Sequence, residues 1–89
     1  MKIHELKTRP QFMGPILDGR KAFELRYDDR GFEVGDVLHL REWCPESETY
    51  SGREALAEVT YILLIGVIVV VPTINPWVAM SIKLLKVSP

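Results

Sequence analysis

The sequence predicts a small, mainly β domain of the α+β kind, a β-barrel of about five to six strands with one short helix after the first strand. Several segments alternate apolar and polar residues, as half-buried strands do. One segment near the amino terminus instead has apolar residues at helical spacing. A chain of 89 residues is long enough for one hydrophobic core and too short for two. Residues 1–89 are therefore assigned to a single domain.

The first two elements are a strand and a short helix. Residues 2–7 are predicted as the opening strand. Thr8 and Gln11 fit a capping box, which predicts that the helix begins there with Thr8 as its cap. Gly14-Pro15 should weaken or bend the helix, because proline lacks the amide hydrogen of an internal hydrogen bond. The apolar stripe of this helix consists of Phe12, Met13, Ile16 and Leu17.

The remaining strands are separated by turn sequences. Residues 28–31 are typical of a turn after the strand over residues 22–27, and Gly35-Asp36 is typical of a second tight turn that leads into a strand over residues 37–43. Alternation is expected to place Leu38 and Leu40 on its core face, with His39 and Arg41 opposite.

A polar loop over residues 45–52 predicts a hairpin that returns through residues 53–64. The last strand is expected over residues 77–85. The core faces of these two strands would hold Ala55, Ala57, Val59, Tyr61 and Leu63, and then Val78, Met80, Ile82 and Leu84.

The strand over residues 22–27 carries the pattern that bears most on function. It follows Gly19, which can take the left-handed conformation that ends many helices, and Lys21 lies at its start. Phe23, Leu25 and Tyr27 are expected to face the core, which leaves Glu24 and Arg26 paired on the opposite face. That pair is also compatible with a surface salt bridge that implies no ligand.

The spacing G-x-K-x-x-E-x-R, formed by Gly19, Lys21, Glu24 and Arg26, resembles the signature of the ASCH (activating signal cointegrator homology) family of the PUA-like superfamily. These are small β-barrel domains with proposed roles in RNA binding. The order of elements over about the first two thirds of the chain is also similar. The resemblance is to small members of bacterial or phage type whose function is unknown.

The resemblance implies a cleft beside the helix end that binds RNA or a nucleotide-like ligand through Lys21, Glu24 and Arg26. The two cations would engage a phosphate or sugar, and the carboxylate would accept a hydrogen bond from a base amino group or ribose hydroxyl. Arg20, beside the motif, and Tyr50, a stacking platform in the polar loop, are predicted to join this site. Trp43 and Trp77 are expected in the core.

A second hypothesis is enzymatic. Some PUA-like proteins similar to this chain are amidohydrolases that remove an acetyl group from modified cytidine, and Lys21 matches their motif lysine. Lys21 and Glu24 are the alternative catalytic residues. Those enzymes have a threonine where this chain has Glu24, and their partner carboxylate has no equivalent between residues 72 and 77. Binding is therefore favoured over catalysis.

The apolar run over residues 62–71 is too short for a membrane span, which needs about 20 apolar residues. Its β-branched residues favour a strand, either as a buried pair around Gly66 or as a patch that joins two copies. The patch would make the domain a dimeric protein-interaction module, the third hypothesis. The residues of this predicted homodimer contact are Leu63, Ile65, Val67 and Val69.

Charge and composition limit the other function classes. The net charge of −1 argues against a protein that coats nucleic acid by charge alone, although the charge is +2 over residues 1–30 and −3 over residues 31–89. We therefore expect weak or selective RNA binding. His4, His39 and Cys44 lack metal-ligand spacing, and no phosphate loop, dinucleotide fingerprint or serine elbow is present, so no metal or cofactor is predicted. A single cysteine and no apparent secretory leader favour the cytoplasm.

Overall fold

The computed structural model describes residues 1–65 and 77–88 of the chain. Within these residues the elements are, in order, β1 (Ile3–Thr8), α1 (Pro10–Leu17), β2 (Phe23–Tyr27), β3 (Val37–Cys44), β4 (Thr49–Leu64) and β5 (Trp77–Ser88). The predicted mainly β fold with one short helix after the first strand is confirmed.

The strands form one sheet in the order β1-β3-β4-β5-β2. β1 runs parallel to β3, and the other neighbours are antiparallel. The sheet curls into a half-barrel, so that the two edge strands, β1 and β2, are linked by side chains and not by a backbone ladder. This arrangement positions the site described below.

The hydrophobic core lies between α1 and the sheet. Leu38 and Leu40 of β3 are completely buried, which confirms the predicted core face of that strand. In the predicted stripe of the helix, Met13 and Ile16 are completely buried and Leu17 packs against the core, but Phe12 is 44% exposed, so its predicted place in the stripe is wrong. Val78, Met80 and Ile82 show that the predicted face of β5 is also correct. The other buried members of this cluster are Leu6, Phe32, Ala55, Ala57 and Val59.

The start of α1 differs from the prediction. Thr8 is the last residue of β1, and the helix is capped by Arg9 without any side-chain capping bond. Pro10 takes the first helical position, where its fixed φ is favourable and its missing amide hydrogen costs nothing. The Arg9 carbonyl accepts hydrogen bonds from the amides of Phe12 and Met13. The capping role predicted for Thr8 is wrong because Thr8 continues the inward alternation of β1.

The alternation of β4 reverses near Thr60. The register with β5 shifts between Val59 and Tyr61, as in a β-bulge. Val59 is buried, but Tyr61 is 64% exposed and Ile62 packs against the core in its place. The core positions predicted for Tyr61 and Leu63 are therefore wrong, because one displaced residue moves all later side chains to the opposite face.

The faces of β2 are also the reverse of those predicted. Glu24 is buried at 3% exposure, whereas Phe23, Leu25 and Tyr27 are each more than half exposed. The register explains the reversal, because Glu24 lies opposite the buried Met80 of β5. An edge strand with two cations close to its inward carboxylate can tolerate this arrangement.

Two predictions concern the aromatic residues and the apolar run. Trp77 is 43% exposed at the start of β5, so its predicted place in the core is wrong, while Trp43 is half-buried. The strand pair expected around Gly66, like Val67 and Val69 of the predicted dimer contact, lies outside the described residues.

Over the described ranges, no helix has the length and hydropathy needed to cross a membrane.

Candidate ligand-binding site

The turn that follows α1 delivers Lys21 to the start of β2. Gly19 has φ of 87°, a left-handed conformation that glycine adopts without strain, as predicted. Its amide donates to the Ile16 carbonyl at 3.2 Å, and the Lys21 amide donates to the Pro15 carbonyl at 2.9 Å. The chain therefore wraps around the end of the helix and fixes where the Lys21 side chain begins.

Glu24 connects the two cations of the motif. Lys21 Nζ donates to Glu24 Oε1 at 2.7 Å, and Arg26 Nε donates to Glu24 Oε2 at 2.8 Å. Lys21 Nζ also donates to the Phe23 carbonyl at 2.7 Å. The Glu24 side chain is 4% exposed, against 17% for Lys21 and 26% for Arg26. The predicted link among the three residues is confirmed, with the carboxylate beneath and the cations toward the surface.

Arginine side chains join the two edges of the sheet. Arg26 Nη2, on β2, donates to the Lys7 carbonyl of β1 at 3.0 Å. Arg30 Nη1, from the loop after β2, donates to the Glu5 carbonyl of β1 at 3.2 Å. These guanidinium groups satisfy carbonyls that a neighbouring strand would otherwise pair.

The predicted turn over residues 28–31 holds Arg30 in place. Asp28 Oδ1 accepts hydrogen bonds from the Gly31 amide at 2.7 Å and from the Phe32 amide at 3.1 Å. Aspartate commonly folds a turn in this way. Arg30 can therefore reach β1 from a loop that its neighbours have already ordered.

A cavity of about 760 Å³ opens between β1 and β2. Among the described residues that line it are five cations and two carboxylates, which give the lining a net charge of +3. The charged residues are Lys7, Arg9, Lys21, Arg26 and Arg30, with Glu24 and Asp29. Aromatic side chains supply much of the remaining wall, namely Phe12, Phe23, Tyr27, Phe32 and Trp77. The cavity thus combines positive charge with flat apolar surface.

Two residues predicted for the site lie elsewhere. Arg20 turns back to Asp18, with Nε 2.9 Å from Asp18 Oδ2, and does not line the cavity. Tyr50 belongs to β4 and not to a polar loop, because that strand begins at Thr49. Its ring packs edge-on against Trp43 at 4.8 Å between centroids, and the Arg41 guanidinium lies 3.8 Å from its centre. The cross-strand pairing of Trp43 with Tyr50 fixes it there.

The sequence interpretation missed several lining residues, of which Thr8 is the most unusual. Thr8 is 2% exposed, and its Oγ1 has no hydrogen-bond partner among residues 1–65 and 77–88. Buried hydroxyl groups are normally paired. The inward alternation of His4, Leu6 and Thr8 was the signal that could have identified it.

A second buried polar group fixes the start of β1 against the turn before β3. Asp36 accepts hydrogen bonds from the amides of Lys2 and Glu33, each at 3.0 Å, and its Oδ2 lies 2.8 Å from His4 Nε2. Burial alone would raise the pKa of Asp36, but these hydrogen bonds outweigh it and lower the pKa to about 2. His4 thus has a structural partner, and His39 likewise contacts Glu54.

The described residues contain no group of three or more His, Cys, Asp and Glu side chains placed to hold a metal ion. In the predicted dimer patch, Leu63 is 36% exposed and Ile65 is half-buried.

A family model described as a domain of unknown function (DUF3850) matches residues 3–82. The chain belongs to this family. The match includes all of the described residues that line the cavity. The chain is also similar to an uncharacterized 12.9 kDa protein in the GpA 3′ region of Escherichia phage P2. The two are 39% identical over 59 residues, which are 66% of this chain and 52% of the phage protein. The chain thus matches about half the length of this relative.

Proposed function

We propose that this DUF3850 domain binds RNA, and that an unpaired nucleotide of the RNA occupies the cavity between β1 and β2. The observation that carries the proposal is the lining of this cavity, which has a net charge of +3 and five aromatic side chains among the described residues. Cations engage phosphate groups, while unpaired bases stack on aromatic rings. A nucleotide needs both kinds of surface within one small volume.

The cations of the cavity differ in how many hydrogen-bond donors remain free to bind a phosphate. Arg9 is exposed, and its side chain makes no hydrogen bond or ion pair with the described residues. Lys21 donates two hydrogen bonds of the three that an ammonium group can make. Arg26 uses Nε and Nη2 and retains further guanidinium donors. Arg9 is therefore the cation best suited to a phosphate, with Lys21 and Arg26 beside it.

Stacking surface comes from the side of the cavity formed by β2 and β5. The rings of Tyr27 and Trp77 meet edge to face at 5.8 Å, and both side chains are more than 40% exposed. Stacking on such rings contributes about 1 to 3 kcal/mol per base in proteins that bind single strands. The outward face of β2, which was expected to pack in the core, is thereby a binding surface in this proposal.

The ASCH-like spacing supports the same proposal. We also propose, from this resemblance, that the whole domain has a PUA-like fold. The net charge of −1 fits selective binding of an unpaired strand better than broad binding of duplexes. In this proposal Glu24 acts chiefly by positioning Lys21 and Arg26, because each of its oxygens already accepts a hydrogen bond from one of them.

One observation favours the amidohydrolase alternative. Lys21 Nζ lies 2.7 Å from Glu24 Oε1, and such chemistry needs an amine beside a carboxylate. The second Glu24 oxygen is occupied by Arg26, so the carboxylate is better arranged to hold cations than to shuttle protons. Incubation with acetylated cytidine tests this directly. Turnover that is lost in Lys21→Met would replace binding by hydrolysis as the function of the site.

The proposal is tested by titrating a fluorescent single-stranded RNA with the wild type, Arg9→Gln and Lys83→Gln at two salt concentrations. Lys83 is an exposed cation on β5 outside the cavity, so Lys83→Gln controls for the removal of one charge. We expect Arg9→Gln, and not Lys83→Gln, to weaken binding. It should also make the slope of the logarithm of the association constant against the logarithm of the salt concentration shallower, by about 0.7 for each phosphate that the protein ceases to neutralise. No binding by the wild type, or equal weakening in both variants, would refute the proposal.

A further inference from the structure

We propose that Thr8 recognises the sugar of the bound nucleotide, with its hydroxyl hydrogen-bonded to the ribose 2′-hydroxyl, so that the cavity prefers ribonucleotides to deoxyribonucleotides. This inference rests on the proposed function and adds to it a residue and a class of ligand. It begins from the buried Thr8 Oγ1, which has no partner among the described residues.

Among the described residues, the Thr8 hydroxyl has no structural role in the fold. Arg9, and not Thr8, caps α1. Across the sheet, Thr8 lies opposite Glu42 of β3, whose carboxylate accepts hydrogen bonds from Ser51 and Arg53 and none from Thr8 Oγ1. A buried hydroxyl without a partner destabilises the free protein relative to an apolar side chain of the same shape. Valine at this position would make the free protein more stable. We therefore look for the role of the hydroxyl in ligand binding and not in folding.

The position of Thr8 in the cavity identifies the part of the ligand that would meet it. Its neighbours in sequence are Lys7, whose carbonyl holds Arg26, and Arg9, whose exposed side chain is suited to a phosphate. Thr8, Arg9 and Arg26 line the same cavity, so a phosphate bound by the two arginines would occupy the space that Thr8 borders. The sugar is bonded directly to that phosphate, so it is the group placed against the Thr8 side chain.

The chemistry of the two groups also matches. A threonine hydroxyl donates one hydrogen bond and accepts others, and the ribose 2′-hydroxyl does the same. Deoxyribose lacks this group and would leave Thr8 Oγ1 unpaired in the complex. Because Oγ1 is buried in the free protein, contact with it needs a small displacement of the cavity wall. Ligand binding supplies the free energy for that displacement.

The test compares the wild type, Thr8→Val and Thr8→Ser by thermal unfolding without ligand and by binding to two probes. The probes are a uridine hexanucleotide and its 2′-deoxy counterpart, which differ only in the 2′-hydroxyl. Thr8→Val removes the hydroxyl and keeps the shape, while Thr8→Ser keeps the hydroxyl. We expect Thr8→Val to unfold at the same or a higher temperature, to bind the ribonucleotide about tenfold more weakly, equivalent to about 1.4 kcal/mol, and to bind the deoxynucleotide unchanged. Thr8→Ser should keep the ribose preference.

The outcomes separate this inference from the proposed function. A lower unfolding temperature for Thr8→Val would show that the hydroxyl has a structural partner, and it would overturn the inference without any ligand. Wild-type protein that binds both probes equally, with Thr8→Val unchanged, would overturn the inference and leave the proposed function standing. Wild-type protein that binds neither probe would overturn both.

Discussion

Arg26 on one edge of the sheet donates a hydrogen bond from Nη2 to the Lys7 carbonyl on the other edge, at 3.0 Å. The same guanidinium group donates from Nε to the buried Glu24. One side chain therefore connects the charged cluster of the motif to the strand across the cavity. This relationship makes the shape of the cavity depend on the ion pairs beneath it.

Arg26→Gln should lower the free energy of unfolding by about 2 kcal/mol or more, because it leaves the nearly buried Glu24 with only one cation. Arg30→Gln is the matched control, since Arg30 also donates to a β1 carbonyl but is more exposed and does not contact Glu24. Its removal should cost about 1 kcal/mol or less. Urea unfolding followed by circular dichroism measures both. Equal destabilisation of the two variants would contradict a central role for the Glu24 cluster.

The reversed faces of β2 predict an unusual order of stability among its variants. Glu24→Ala should destabilise the protein by about 2 kcal/mol, because it removes two charge-assisted hydrogen bonds from a buried site. Phe23→Thr should cost less than about 1 kcal/mol, because the Phe23 side chain is already half exposed. Chemical denaturation of the two variants decides the matter. A larger destabilisation in Phe23→Thr would restore the orientation that alternation alone predicted.

Because the pKa of Asp36 is lowered, we expect the protein to lose stability in strong acid. This lowered pKa means that the folded state favours the carboxylate, so this stabilisation is complete above the ordinary value of 3.8. It then disappears as the pH falls from about 4 to about 2. Asp36→Asn, which has no charge to titrate there, should be less stable near neutrality by about 2 kcal/mol. Its difference from the wild type should shrink over this pH window in urea titrations. A constant difference would show that Asp36 does not titrate in this way.

The aromatic residues predict where the base lies. Trp77→Leu should weaken RNA binding severalfold, because Trp77 lines the cavity. Tyr50→Leu should leave binding unchanged, because Tyr50 packs on Trp43 outside the lining. Fluorescence anisotropy with labelled RNA compares the two, with thermal unfolding as the check on folding. Weakened binding confined to Tyr50→Leu would move the binding surface to the face that holds Trp43.

The motif shows what local sequence can predict. Alternation together with charge was sufficient to pair Glu24 with Arg26, since residues two apart on a strand share a face. Lys21 precedes the strand, and the turn expected at Gly19 was the signal that placed it beside the pair. Alternation could not say which face is buried, because that depends on the register of β2 against β5 and on cations that make a buried carboxylate tolerable.

Other features of the structure depend on a β-bulge, on the position of a helix start and on a long-range hydrogen bond, and hydrophobic periodicity predicts none of these. One shifted residue near Thr60 turned Tyr61 outward. Pro10 took the first position of α1 and so left Thr8 in β1. Arg30 reaches the site from a loop, and its hydrogen bond to the Glu5 carbonyl joins residues 25 positions apart in sequence. The element order was accessible from the sequence, whereas the wall of the cavity required the tertiary structure.

The most direct test of the central claim is to map amide chemical shifts in labelled protein during titration with a single-stranded uridine hexanucleotide. We expect saturable changes concentrated on both sides of the cavity, at Thr8, Arg9, Lys21, Arg26 and Trp77. Tyr50 and Arg20 should change little. Changes centred on Trp43 and Tyr50, or no saturable change at millimolar RNA, would contradict the claim that this cavity binds a nucleotide.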